Sequence, residues 1–123
     1  MNRPVIALDI GGTHSRAALF ENGQIVWRAS LPTPGQQGPE RMVATMVELL
    51  EPLAARQAAV GVAIAGLVSE DGRVTAHNGA ILHGWQAFAL QQALSQALQR
   101  PVRVFNDARA AAWAEYRLGA GRG

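Results

Sequence analysis

PVIALDIGGTHSRAALFENGQIVWRA, residues 4–29, is the stretch whose reading decides the fold. It holds three short β-like runs, at 4–9, 16–20 and 24–29, separated by Gly-Gly-Thr at 11–13 and by Glu21-Asn22-Gly23. Asn22-Gly23 is a strong hairpin signal, because both residues accept the positive φ that a tight turn demands. The three runs are therefore expected to lie antiparallel, as a meander. The first turn is unusual in following an acid, Asp9, at the end of an apolar strand.

Beyond residue 29 the pattern changes. Residues 31–40, LPTPGQQGPE, form a Pro/Gly loop that ends with Pro39 suited to the first turn of a helix. Met42, Val43, Met46, Leu49, Leu50 and Leu53 give that helix an apolar face, and Pro52 bends or ends it. Residues 58–66, AAVGVAIAG, are apolar on both faces and predict a central parallel strand. A turn at Asp71-Gly72 and a short strand at 73–77 follow. A second helix is expected after Trp85, with Phe88, Leu90, Leu94, Ala97 and Leu98 on one side. Residues 101–105 predict a strand and 106–118 a third helix. A meander followed by strand–helix alternation predicts an α/β domain with a mixed five-stranded sheet and flanking helices, the ribonuclease H-like layout.

Composition narrows the function. The 123 residues match one ordinary domain, and 49% hydrophobic against 16% charged residues is a folded profile. With no cysteine, neither a disulfide nor a thiolate metal site can form in this chain. The pI of about 10.4 accompanies a formal charge of only +2 and scattered basic residues, so neither a nucleic-acid surface nor a membrane surface is expected. All 11 basic residues are Arg, and a P-loop needs a lysine at the β/γ-phosphates, so that nucleotide-binding class is excluded. No apolar run approaches a membrane span, and the expected compartment is the cytoplasm.

Two stretches carry chemistry. Gly11 and Gly12 let the backbone turn so that N–H groups face a phosphate, and Thr13 adds a hydroxyl. An acid beside phosphates repels them unless a cation intervenes, which points to Asp9 as a Mg²⁺ partner. The alternative is a glycine-rich turn whose aspartate bonds to turn amides. At the second stretch, Asn106 and Asp107 sit where a strand meets a helix. An N-cap accounts for one polar residue there, not two. Ligands of α/β sheets bind at the carboxyl ends of strands, where an acid can accept a proton from a substrate hydroxyl.

DIGGT at 9–13, VAIAG at 62–66 and NDARAAAWAEYRLGAG at 106–121 together resemble the amino-terminal lobe of the ROK family (repressors, open reading frames and kinases). Within that family the similarity is greatest to bacterial N-acetylmannosamine kinases, particularly in LPTP at 31–34. The resemblance implies an actin-like ATPase fold and ATP-dependent phosphorylation of the 6-hydroxyl of a hexose or N-acylhexosamine, with N-acetylmannosamine favoured. It implies that Asp9, Gly11, Gly12, Thr13 and His14 face the Mg²⁺ and ATP phosphates, and that Asp107 is the catalytic base. Asn106 would bond a neighbouring sugar hydroxyl, and at Gly66 the backbone would approach the sugar.

The chain departs from the family pattern in places. His14 stands where many relatives have lysine, and Ile81-Leu82 where relatives often have Asn-Leu, which leaves Asn78 to take over a sugar contact. His77 and His83 read as solvent-facing loop residues, and Trp85 and Trp113 as packing residues. The family's second lobe, with the adenosine pocket and a zinc site, is not in these 123 residues. Residues 1–118 are thus expected to form one lobe and 119–123 a hinge, inactive alone, in a longer protein expected to be a homodimer. The rival readings are a glucokinase of the same family, a ROK repressor and a non-catalytic actin-like ATPase or regulatory sugar-binding lobe. A helix-turn-helix ahead of Asp9 marks the repressor, and here the strand begins by Pro4. The Asn106-Asp107 pair argues against the non-catalytic reading.

Overall fold

A computed structural model describes residues 3–76 and 82–106. The meander forms as the turn signals imply: β1 (Val5–Ile10) pairs antiparallel with β2 (His14–Glu21), and β2 with β3 (Gln24–Pro32). Asn22 and Gly23 take φ of 54° and 78°, the left-handed pair of a tight hairpin. Both strands run further than their composition suggests. β2 begins at His14, immediately after the first turn, and β3 continues through Leu31 and Pro32 of the Pro/Gly loop. Pro32 is tolerated because Thr33 points its N–H at the Thr13 carbonyl, so the preceding residue faces the free edge of the sheet, where no donor is needed.

Helix α1 (Pro39–Leu49) follows, started by Pro39, and Pro52 lies in the single 3₁₀ turn that ends this segment. Strand β4 (Ala59–Ile64) pairs parallel with β1, and a short hairpin of β5 (Leu67–Val68) and β6 (Val74–Thr75) comes next. Helix α2 spans Leu90–Leu98, and β7 (Val102–Phe105) pairs parallel with β4. The five-stranded order is β3-β2-β1-β4-β7, with the doubly apolar β4 between two parallel neighbours. Helix α2 starts later than its apolar pattern suggests. Phe88 is drawn into a bridge with Val74, and Ala87 before it has φ 47°. The predicted helix at 106–118 lies outside the described residues except for Asn106.

Strand alternation decides where the core sits. Ile6, Leu8 and Ile10 of β1, Ala17 and Leu19 of β2, Val60, Val62 and Ile64 of β4, and Val102 and Val104 of β7 are buried on one face. Met42, Met46 and Leu49 of α1 and Leu90 and Leu94 of α2 cover that face. Trp85 joins this core at 2% exposure, with its ring edge-on to Phe88 at 5.7 Å, as its packing reading implies. Two polar side chains secure the far edge. Gln91 Oε1 accepts from the Val104 N–H at 3.0 Å, and Arg100 donates to the carbonyls of Ala58 and Leu53 at 3.2 and 3.1 Å. Both replace hydrogen bonds that backbone groups otherwise lack once taken from water.

Candidate functional site

Asp9, Ala63 and Phe105 share one level across the three parallel strands β1, β4 and β7. Two interstrand spacings separate the outer pair by about 10 Å. Asp9 is exposed on the face opposite the buried Leu8 and Ile10, with Arg16 of β2 directly across in the antiparallel register. Asn106 follows Phe105 at the same carboxyl edge and is half-buried. One end of the sheet thus presents an acid on one strand and an amide two strands away, as ligand sites of α/β sheets do. Asp107 lies outside the described residues, as do His77, Asn78, Ile81 and Trp113.

The turn after β1 differs from the glycine nest expected of it. Neither Gly11 nor Gly12 is among the residues with positive φ. Glycine is needed at 11 because a Cβ there would stand 2.7 Å from the His14 carbonyl oxygen. The Gly11 N–H donates to that same oxygen at 3.1 Å. One of the amides assigned to phosphate is therefore spent closing the hairpin, which leaves those of Gly12 and Thr13 as the turn's remaining donors. Gly12, Thr13 and His14 are all exposed, and the Thr13 carbonyl accepts from Thr33 N at 2.8 Å, which holds the tip of the turn.

Gly66 has a structural duty of its own. Its φ is 147° and a Cβ would meet the Thr75 carbonyl oxygen at 2.9 Å, so the β5–β6 hairpin closes against it. Replacing Gly66 with alanine is expected to cost about 1–3 kcal/mol. The check is the melting temperature of the protein, which should fall by several degrees. His83 is exposed, as its loop reading implies, but its backbone N–H donates to the Gly35 carbonyl at 2.7 Å. Sequence reasoning missed this tie and the one at Thr33, since backbone bonds between loops leave no compositional trace.

On the same hairpin, the Asp71 carboxyl sits below the ordinary carboxylate range, first through the Ser69 hydroxyl and then through Arg73. Among the described residues no group of three or more His, Asp or Glu could cage a metal. Mg²⁺ carried by phosphates needs only one or two protein carboxylates. Asp9 at an open strand end meets that requirement.

The ROK family model matches residues 5–123. An N-acetylmannosamine kinase of Escherichia fergusonii is 43% identical over 112 residues, 90% of this chain but 38% of its own length. The chain thus spans well under half the length of the curated relatives it matches. A ROK hexokinase from Thermus thermophilus superposes with a TM-score of 0.80 at 33% identity, covering 98% of this chain and 40% of that one. A ROK glucokinase from Streptomyces griseus, solved with glucose and AMPPNP, gives 0.76 at 33% identity over 98% of this chain and 38% of its own. The mixed five-stranded sheet with flanking helices is the fold of these sugar kinases. The family model covers almost the whole chain, and the chain belongs to the ROK family.

Proposed function

We propose that this chain is the amino-terminal lobe of an ATP-dependent sugar kinase that phosphorylates the 6-hydroxyl of a hexose or N-acylhexosamine, with N-acetylmannosamine as the favoured substrate. The observation that carries the reading is the shared level of Asp9 and Phe105, with Asn106 next, on parallel strands at one edge of the sheet. Similarity to the N-acetylmannosamine kinase supports the choice of sugar.

Each residue then has a defined task. Phosphoryl transfer involves little covalent chemistry for the protein, so positioning and charge dominate. The Gly12 and Thr13 amides and the Thr13 hydroxyl orient phosphate oxygens, with Gly11 closing the turn beneath them and exposed His14 beside them. Asp9 would hold Mg²⁺, which when bound would neutralise phosphate charge. Asn106 bonds a sugar hydroxyl and Asp107 accepts the proton of the attacking one. Gly66 and Asn78 line the sugar side. A second lobe, outside these residues, closes over the site and excludes water, so the lobe alone is inactive. Among the described residues no helix is long and apolar enough to cross a membrane.

A glucokinase is the second reading, favoured by the solved glucokinase at 33% identity. A coupled assay of ATP consumption by the full-length protein with N-acetylmannosamine, N-acetylglucosamine and glucose separates the two. The expected result is the highest kcat/KM with N-acetylmannosamine. Preference for glucose selects the second reading, and no sugar-dependent ATP consumption removes both.

A further inference from the structure

We propose that Thr33 is a positioning residue that sets the phosphate-facing turn, an inference that rests on the sugar-kinase reading above. Thr33 stands one residue past β3, where it continues the β2–β3 register opposite Thr13. Its N–H donates to the Thr13 carbonyl at 2.8 Å, and its Oγ1 shares a hydrogen bond with Ser15 Oγ at 2.8 Å. Ser15 is fully buried, so its hydroxyl depends on that partner. One residue thus grips the turn on both sides of His14, by backbone at 13 and by side chain at 15.

The grip is stiff because of what surrounds it. Pro32 and Pro34 flank Thr33 and fix φ on either side. Gly35 is buried, begins a 3₁₀ turn, and accepts from the His83 N–H at 2.7 Å. Residues 82–85 are in turn fastened to the core by Leu82 and Trp85, 4% and 2% exposed. Thr33–Gly35 is therefore a strap: its one end holds the exposed Gly12-Thr13 tip, and its other end is moored to the core through the loop at 82–85. The amides of Gly12 and Thr13 are on an exposed turn, and their aim at phosphate oxygens depends on this strap. A small misplacement of such donors is costly to transfer.

The test uses the full-length protein. Thr33→Val keeps the shape and the backbone donor but removes the hydroxyl. It is expected to lower kcat/KM for MgATP about tenfold while the sugar KM changes less than about twofold. Thr33→Ser restores the hydroxyl and should recover wild-type kinetics. The pair Ser15→Ala/Thr33→Val leaves no orphaned hydroxyl, so its melting temperature should return toward wild type while MgATP kcat/KM stays low. Recovery of both in the double variant, or unchanged MgATP kinetics in Thr33→Val, overturns the proposal.

Amide hydrogen exchange at Gly11, whose N–H is bonded to the His14 carbonyl and closes the turn, gives a readout that needs no activity. Thr33→Val should exchange about tenfold faster at this amide. If wild type consumes no ATP with any sugar, the kinase reading fails by itself, and unchanged exchange then defeats the strap as well.

Discussion

Asp107→Asn in the full-length protein is expected to lower kcat about a thousandfold while sugar affinity is retained. The substitution is nearly isosteric and keeps a hydrogen-bonding group beside the sugar. What it removes is the acceptor for the proton of the attacking hydroxyl. Residue 107 is next in sequence to Asn106, which follows β7, and Phe105 of β7 shares a level with Asp9 through Ala63. In-line transfer between two bound substrates requires an acceptor aimed at the attacking hydroxyl, the role proposed for Asp107. The measurement is kcat by a coupled assay together with sugar binding by calorimetry. Equal loss of binding and turnover would recast Asp107 as a sugar ligand, and an unchanged kcat would remove it from the mechanism.

The fold was legible where local chemistry has one outcome. Asn22-Gly23 leaves little choice but a hairpin, and residues 58–66, apolar on both faces, belong between two other strands. Pro39 opens its helix for the reason that proline usually does. Ends of elements were harder, since they depend on tertiary partners. Leu31 and Pro32 have loop composition yet extend β3, because the partner strand begins early and the missing donor faces a free edge. Phe88 has helical spacing to its neighbours yet forms a bridge to Val74, which has the greater claim on it.

The site shows the same division. That Asp9 and Asn106 fall at strand ends can be read from sequence, because a short apolar run stops at each. How each glycine is used cannot. Gly11 was expected to offer its N–H to a phosphate, but the close pairing with His14 consumes it. Gly66 was expected to make room for sugar, and its φ of 147° and its contact with Thr75 show that the hairpin needs it first. Both duties arise from backbone atoms brought together by folding, and side-chain identity along the chain does not encode which partner arrives.

The second large effect belongs to Asp9. Asp9→Asn is expected to lower kcat/KM for MgATP at least about a hundredfold, with sugar affinity unchanged. The strand position makes this a clean test. Asp9 is exposed on β1 between buried Leu8 and Ile10, so the change alters neither core volume nor pairing register. Fold stability should stay close to wild type, which separates loss of function from loss of structure. The amide keeps the size of the carboxylate but carries no charge to hold Mg²⁺ among phosphate oxygens. Raising Mg²⁺ should therefore recover part of the lost activity, whereas raising sugar should recover none. Normal MgATP kinetics in Asp9→Asn would mean that the acid at the end of β1 serves the turn alone, and that the metal is held from the other lobe.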